Sequence, residues 1–254
     1  MRAVRDTWLI FRRHLAISAR NPTWVLVGLS QPVLYFALFG PLLRGVVTLP
    51  GFAAGVSWQQ VFVPALLVQL GLFGTSFVGF GIIAEMRNGV VERLRVTPAS
   101  RIGLLLGRVL LDVATLLVQS AVLVLVALAF GLRAPVLGLL VAFVFVTLLA
   151  VAIASLSYAA GLLLKTEDAL APMINTILLP LLLLSGILLP MTLAPRWLAG
   201  LSRANPFRYV VDGMRDAFAG RVGSGTVWTG LAVAAAAAVV AVVVGARVFQ
   251  RETA

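Results

Sequence analysis

Few residues in this chain are equipped for covalent chemistry, and they do not gather. Among 254 residues there is one histidine, His14, one lysine, Lys165, and no cysteine. A serine–histidine dyad, a histidine-rich metal site and a thiolate nucleophile are therefore unavailable within the apolar runs. Lys165 falls in Gly161-Leu-Leu-Leu-Lys-Thr166, which lacks the glycine before lysine that a phosphate-cradling Gly-x-x-x-x-Gly-Lys-Ser/Thr loop needs. Asp212-Gly-Met-Arg-Asp216 offers two carboxylates without a fuller acidic cluster, too little for lipid-transfer chemistry. What remains is one polar stretch, Glu85-Met-Arg-Asn-Gly-Val-Val-Glu-Arg-Leu-Arg-Val-Thr-Pro-Ala-Ser-Arg101, with six charged residues in seventeen positions. Those residue types suit ion pairing and docking on a soluble partner, not bond making.

The elements that must position this stretch are membrane spans. The chain is 61% hydrophobic and 11% charged, less than half the share of about 25% usual for soluble domains. It reads as an all-α integral membrane protein of one domain, residues 1–254, without a soluble catalytic domain. The net charge of +11 comes from arginines at the ends of apolar runs, so anionic lipid headgroups, not nucleic acid, are the expected counter-charge.

Residues 1–22 carry Arg2, Arg5, Arg12, Arg13 and Arg20, with Val4, Trp8, Phe11 and Leu15 at helical spacing between them. That pattern predicts an interfacial helix in the headgroup layer. The basic region is too long, and the following apolar run too extended, for a cleaved signal. Six spans follow, at about Thr23–Leu43, Val61–Ala84, Gly103–Gly131, Val136–Leu164, Ala169–Leu189 and Val227–Ala246. Each has the length needed for a hydrocarbon core of about 30 Å. Pro32 is expected to kink the first, and Arg44 to Gln60 to form a loop. The glycines of the second, Gly71, Gly74, Gly79 and Gly81, predict close helix packing. Arg108 and Asp112, four apart, are expected to pair near the interface. Asn175, inside the fifth span, is expected to bond to a neighbouring helix.

The polar stretch lies between spans two and three. Val91 and Leu94 share a helix face, Glu92 and Arg95 can pair at i, i+3, and Thr97-Pro98 ends the helix. Gly89 supplies a bend before it. Residues 190–226 hold two further short helices: Pro195-Arg-Trp197-Leu198, with proline in the first turn, and Asn205-Pro206 onward, capped by Asn205. Both are too short to span.

With six spans both termini share a side. Thirteen of the twenty basic residues fall on that side, which places both termini in the cytoplasm. The five arginines of 190–226 oppose this count without a local explanation in the sequence, beyond Asp212 and Asp216 as carboxylates that could neutralise some of them.

Glu85-x-x-x-Gly89-x-x-Glu92-x-Leu94-x-x-x-Pro98-x-x-Arg101 resembles the cytosolic loop of the type-2 ABC exporter permeases, particularly the daunorubicin-resistance-like drug exporters. Asn88 and Val90 depart from that pattern, where a charged residue and a threonine are common. Ser185-Gly186, Pro190, Trp197-Leu198 and Asn205-Pro206…Tyr209…Asp212…Arg215 resemble the outer region of the same family, with Arg208 and Gly213 less typical. The resemblance implies that 85–101 carries a coupling helix docking on a separate ATP-hydrolysing subunit, with Glu85, Arg87, Glu92, Arg93, Leu94 and Arg95 as contacts. It implies that 190–226 forms re-entrant outer helices, Pro195, Trp197, Asn205, Pro206, Tyr209, Asp212 and Arg215 among their residues. It further implies a plasma-membrane permease that pairs with a second permease, as a homodimer or heterodimer. No cofactor is then bound by this chain, ATP and Mg belonging to the partner subunit. The apolar spans suit a hydrophobic drug or lipid-like cargo; a lipid-linked glycan is the nearest alternative. An ion-gradient-driven carrier is the alternative of another class. Such a carrier usually needs acidic residues deep in its spans, whereas all nine carboxylates here lie in loops, tails or span ends, Asp112 deepest.

Overall fold

The computed structural model describes residues 7–8, 11–12, 15, 23–46, 57–89, 101–187, 191 and 194–252. Among them every regular element is helical: α1 Thr23–Val46, α2 Trp58–Ser76, α3 Gly79–Arg87, α4 Arg101–Ala129, α5 Val136–Leu164, α6 Glu167–Leu184, α7 Arg196–Ser202, α8 Pro206–Phe218 and α9 Gly225–Glu252. Of the amino-terminal segment, Thr7, Trp8, Phe11, Arg12 and Leu15 are helical, and the Trp8 and Phe11 rings lie 5.6 Å apart. The remainder of the expected interfacial helix lies outside the described residues.

Five stretches are long and apolar enough to cross a bilayer: Trp58–Arg87, Gly103–Ala129, Val136–Leu164, Glu167–Leu184 and Gly225–Glu252. Helix α1 adds a further 24 residues and runs through Pro32 as one helix. The expected loop from Arg44 to Gln60 is shorter than its sequence suggested. At its far end Ser57-Trp-Gln-Gln60 forms a capping box: Ser57 Oγ accepts from the Gln60 amide, and Gln60 Oε1 accepts from the Ser57 amide at 3.0 Å. Those reciprocal bonds satisfy two amides that a helix start leaves without partners, so α2 begins at Trp58 and not at Val61. The fifth span ends earlier than expected, at Leu184, where Ser185 and a left-handed Gly186 (φ 79°) turn the chain. Helix α5 ends on Lys165, a left-handed residue (φ 59°) whose amide bonds to the Gly161 carbonyl.

Helix α5 is the hub, packing against α2, α3, α4, α6, α8 and α9. Its Phe145 is fully buried with Phe218, Leu66 and Leu116 in one apolar core. Asn175 does not bond inward as expected; it is exposed on α6, and Ile174 and Leu178 take the inner face.

The second span is broken. Residues Phe77 and Val78 form a turn between α2 and α3, so the Phe80 amide bonds to Phe77 O instead of Ser76 O. Ser157 of α5 repairs the break. Its hydroxyl donates to Ser76 O at 2.5 Å and accepts from the Gly79 amide at 2.9 Å. This needs backbones nearly in contact. A Cβ on Gly79 would sit 2.4 Å from Ser157 O, and one on Gly161 would sit 2.7 Å from Gly79 O. Only glycine fits either position, the close-approach packing expected for Gly79.

Gly161→Ala should therefore lower the melting temperature of the detergent-purified protein, with a cost of about 1–3 kcal/mol for overpacking. Gly81→Ala, where nothing lies within 4 Å, should leave it unchanged or slightly raised. Equal melting of wild type and Gly161→Ala would remove this contact from the account of the fold.

Candidate functional site

The polar segment connects the end of α3 to the start of α4. Glu85 and Arg87 stand in the last turn of α3, which ends on Asn88 and on Gly89 at φ 65°. The bend expected at Gly89 is thus present, in a conformation glycine adopts without a Cβ penalty. Glu92, Arg93, Leu94, Arg95 and Pro98 lie outside the described residues. Arg101 is the first residue of α4.

What the structure describes are the two roots of the segment, and they are tied together. Glu85 is ion-paired with Arg108 of α4, whose side chain is only 5% exposed. The expected Arg108–Asp112 pair is thereby replaced. Asp112 instead accepts a hydrogen bond from the Tyr158 hydroxyl of α5 at 2.8 Å. Arg108 still carries two buried nitrogens, Nε and Nη1, without a hydrogen-bond partner. Further out, Arg87 bonds to Glu167 of α6 at 3.3 Å, and Lys165 pairs with Glu252 of α9 at 3.0 Å. The ends of α3, α4, α5, α6 and α9 are therefore cross-linked around the segment. Glu85 is occupied within the fold, and Arg87 lies at its exposed edge.

The opposite end is organised around α8. Asn205 caps it, accepting from the Phe207 amide at 3.0 Å while its Nδ2 donates to Leu181 O of α6 at 2.7 Å. Pro206 occupies the first helical position, where its missing N–H costs nothing. Val210, Val211, Met214, Ala217 and Phe218 are buried against α2, α5 and α9. Pro195 is the cap residue of α7, and Trp197 is exposed on it.

Three of the five unexplained arginines bind inside this region. Arg215 donates to Val61 O at 3.2 Å and Gly186 O at 2.9 Å, joining α2 to the end of α6. Arg208 donates to Ala199 O and Ser202 Oγ, and Arg221 pairs with Asp216. Asp212 lies between Arg208 at 3.7 Å and Arg215 at 4.0 Å, and Tyr209 donates to Arg203 O at 2.9 Å. Burial raises the Asp212 carboxyl above its usual range, opposed by Arg215 and Arg208. Burial also lowers Arg215 to about 10, opposed by Asp212; its guanidinium stays charged at neutral pH. On the same side Gln59 and Gln60 donate to Phe130 O and Arg133 O, holding the α4–α5 turn.

Among the described residues, no pair in either group has the nucleophile–base arrangement of a catalytic centre; the charges bond to helix ends, a hydroxyl or one another. The several long apolar helices are those of a multi-pass membrane protein. The chain belongs to the ABC-2 type transporter family, which matches residues 5–219. It is similar to the daunorubicin resistance ABC transporter permease protein DrrB1 of Streptomyces coeruleorubidus, 25% identical over 243 residues, which cover 94% of this chain and 83% of that protein. It is also similar to the inner membrane transport permease YadH of Escherichia coli strain K12, 32% identical over 197 residues, covering 74% of this chain and 72% of that one. Members of this family are membrane transport subunits and not themselves enzymes.

The sequence left Tyr158 and Ser157 unremarked. Each is a hydroxyl inside a long apolar run, which is the signal that could have found them.

Removing one partner of a buried ion pair costs about 3–5 kcal/mol. Glu85 keeps 25% of its side chain exposed, so Glu85→Ala should fall at or below the lower end of that range. The expected result is a lower melting temperature for the isolated subunit, substantially recovered by the exchange Glu85→Arg with Arg108→Glu. A Glu85→Ala protein melting like wild type would return Glu85 to the partner-facing surface.

Proposed function

We propose that this chain is the membrane-spanning permease subunit of an ATP-driven exporter, moving a hydrophobic drug-like or lipid-like molecule out of the cell. A separate ABC ATPase subunit, holding ATP and Mg, docks on segment 85–101. The observation that carries this reading is the Glu85–Arg108 clamp at the roots of that segment. A push on a flexible loop dissipates. A push on a loop whose two roots are fixed to each other, and through Asp112–Tyr158 to α5, is delivered to the hub of the bundle.

Helix α1 acts as the sixth span in this reading, which brings both termini to the cytoplasmic face of the plasma membrane in agreement with the distribution of basic residues. Helices α7 and α8 are the re-entrant outer pair. Two such subunits, identical or different, form the pathway. The likeness to a permease named for daunorubicin resistance, together with the apolar spans, supports a hydrophobic cargo.

Recovery of the tagged protein from native membranes in mild detergent tests this directly. A P-loop ATPase should co-purify in stoichiometric amount and be lost on Glu92→Lys with Arg93→Glu, while the permease itself stays in the membrane at normal abundance. Intact permease recovered with no ATPase, or an ATP-independent response to a proton gradient in vesicles, would overturn the exporter reading in favour of an ion-driven carrier.

A further inference from the structure

A cavity of about 330 Å³ lies between α5, α6 and α9, with α2 behind it and the first turn of α8, Pro206 and Phe207, at one end. Its walls come from the middle of the spans: Ala152 and Leu156 of α5, Ile177 of α6 and Ala237 of α9. Helices α6 and α9 both pack on α5 and α8, yet no packing seam joins them to each other. The gap between them is the cavity's mouth. Leu156 and Ile177 at its rim are 47% and 51% exposed, so it opens sideways at the depth where hydrocarbon surrounds the protein.

The lining offers a ligand nothing polar. Its two hydroxyls are already committed, Ser157 to Ser76 O and the Gly79 amide, and Ser76 to Leu72 O. Water needs two to four polar partners to occupy such a space, and an apolar cavity of about 150 Å³ stays dry and takes benzene instead. This one has about twice that volume, at the bottom of the range of about 300–1,000 Å³ for whole drug-sized ligands. Left empty, its walls forfeit dispersion contacts on one side.

We infer that the cavity holds one acyl chain of a bilayer phospholipid, inserted through the gap between α6 and α9. The lipid is the source because its chains are the solvent at the mouth, whereas a ligand arriving from water has no polar group here to recognise. The chain completes the packing of α6, the least buried of the five spans and one interrupted by Pro172 and Pro180. The inference does not rest on the exporter reading.

The test uses the full chain reconstituted in phosphatidylcholine vesicles containing a small fraction of phosphatidylcholine with a diazirine near the end of one acyl chain. After irradiation, adducts mapped by mass spectrometry should appear on Met173, Ile174 and the α9 segment around Ala237. Ala237→Phe, which fills the wall, should lose them, while adducts on the outward-facing Leu125 of α4 persist and report an intact fold. If Ala237→Phe does not fold, Ile177→Trp at the mouth gives the same reading. Equal labelling of Ile174 or Met173 in wild type and a folded blocking variant would overturn the inference, as would labelling confined to outward-facing positions. Labelling by a free apolar photoprobe but never by the phospholipid would assign the cavity to a transported guest and overturn it equally.

Discussion

Inside a bilayer no water is present to satisfy a backbone group that loses its helical partner, so every interruption of a span must be repaired by the protein. The turn at Phe77–Val78 is such an interruption, and a single hydroxyl repairs it. Ser157 accepts from one freed amide and donates to one freed carbonyl, the full use of its O–H and one lone pair. The repair requires α5 to touch the break, and that contact requires glycine at both Gly79 and Gly161. Much of the bundle follows. Helix α5 becomes the hub because it must run beside the break. The short α3 leaves the turn in a direction set by α5, and that direction brings Glu85 against Arg108.

The polar residues then divide by position along the bundle axis. At the end near the 85–101 segment, ion pairs connect different helices: α3 to α4, α3 to α6, α5 to α9. At the other end, arginines bond mostly to backbone carbonyls where helices stop. Arg215 takes carbonyls from the start of α2 and the end of α6; Arg208 takes one from α7. A guanidinium's forked donors suit that task, since one side chain can reach carbonyls on two separate elements. The first end is joined by pairs of side-chain charges, and the second by arginines directed at backbone carbonyls.

The spans were legible because their signal is coarse. Apolar length alone places Val136–Leu164 to the residue and the others within a few positions. Boundaries were lost where local chemistry decided them. The capping box Ser57-Trp-Gln-Gln60 was written in the sequence yet read as loop, and Ser185-Gly186 stopped a span that hydropathy would have carried to Leu189. The Asn205 cap was legible because its motif is local. The Glu85–Arg108 pair was not, since an i, i+4 partner on the same helix looks equally good until the third dimension brings α3 alongside. The arginines of 190–226 failed for a related reason. A charge count treats each as solvent-facing, but Arg208 and Arg215 are largely withdrawn onto carbonyls, a hydroxyl and Asp212, and Arg221 is paired with Asp216, so the three carry less weight as topology signals than their number implies.

The same accounting bears on how transport is energised. An ion-driven carrier needs a carboxylate within the membrane that is free to exchange its partner with a permeating ion. Asp112 is the deepest candidate, eleven positions beyond Arg101 in the 29-residue α4. Its carboxyl accepts from the Tyr158 hydroxyl, on the flank that the polar segment is rooted to. Placed there, it ties α4 to α5 instead of lining a path between the two faces. On the proposed reading that carboxyl belongs to the frame around the loop, joining α4 to α5 at the roots of the segment.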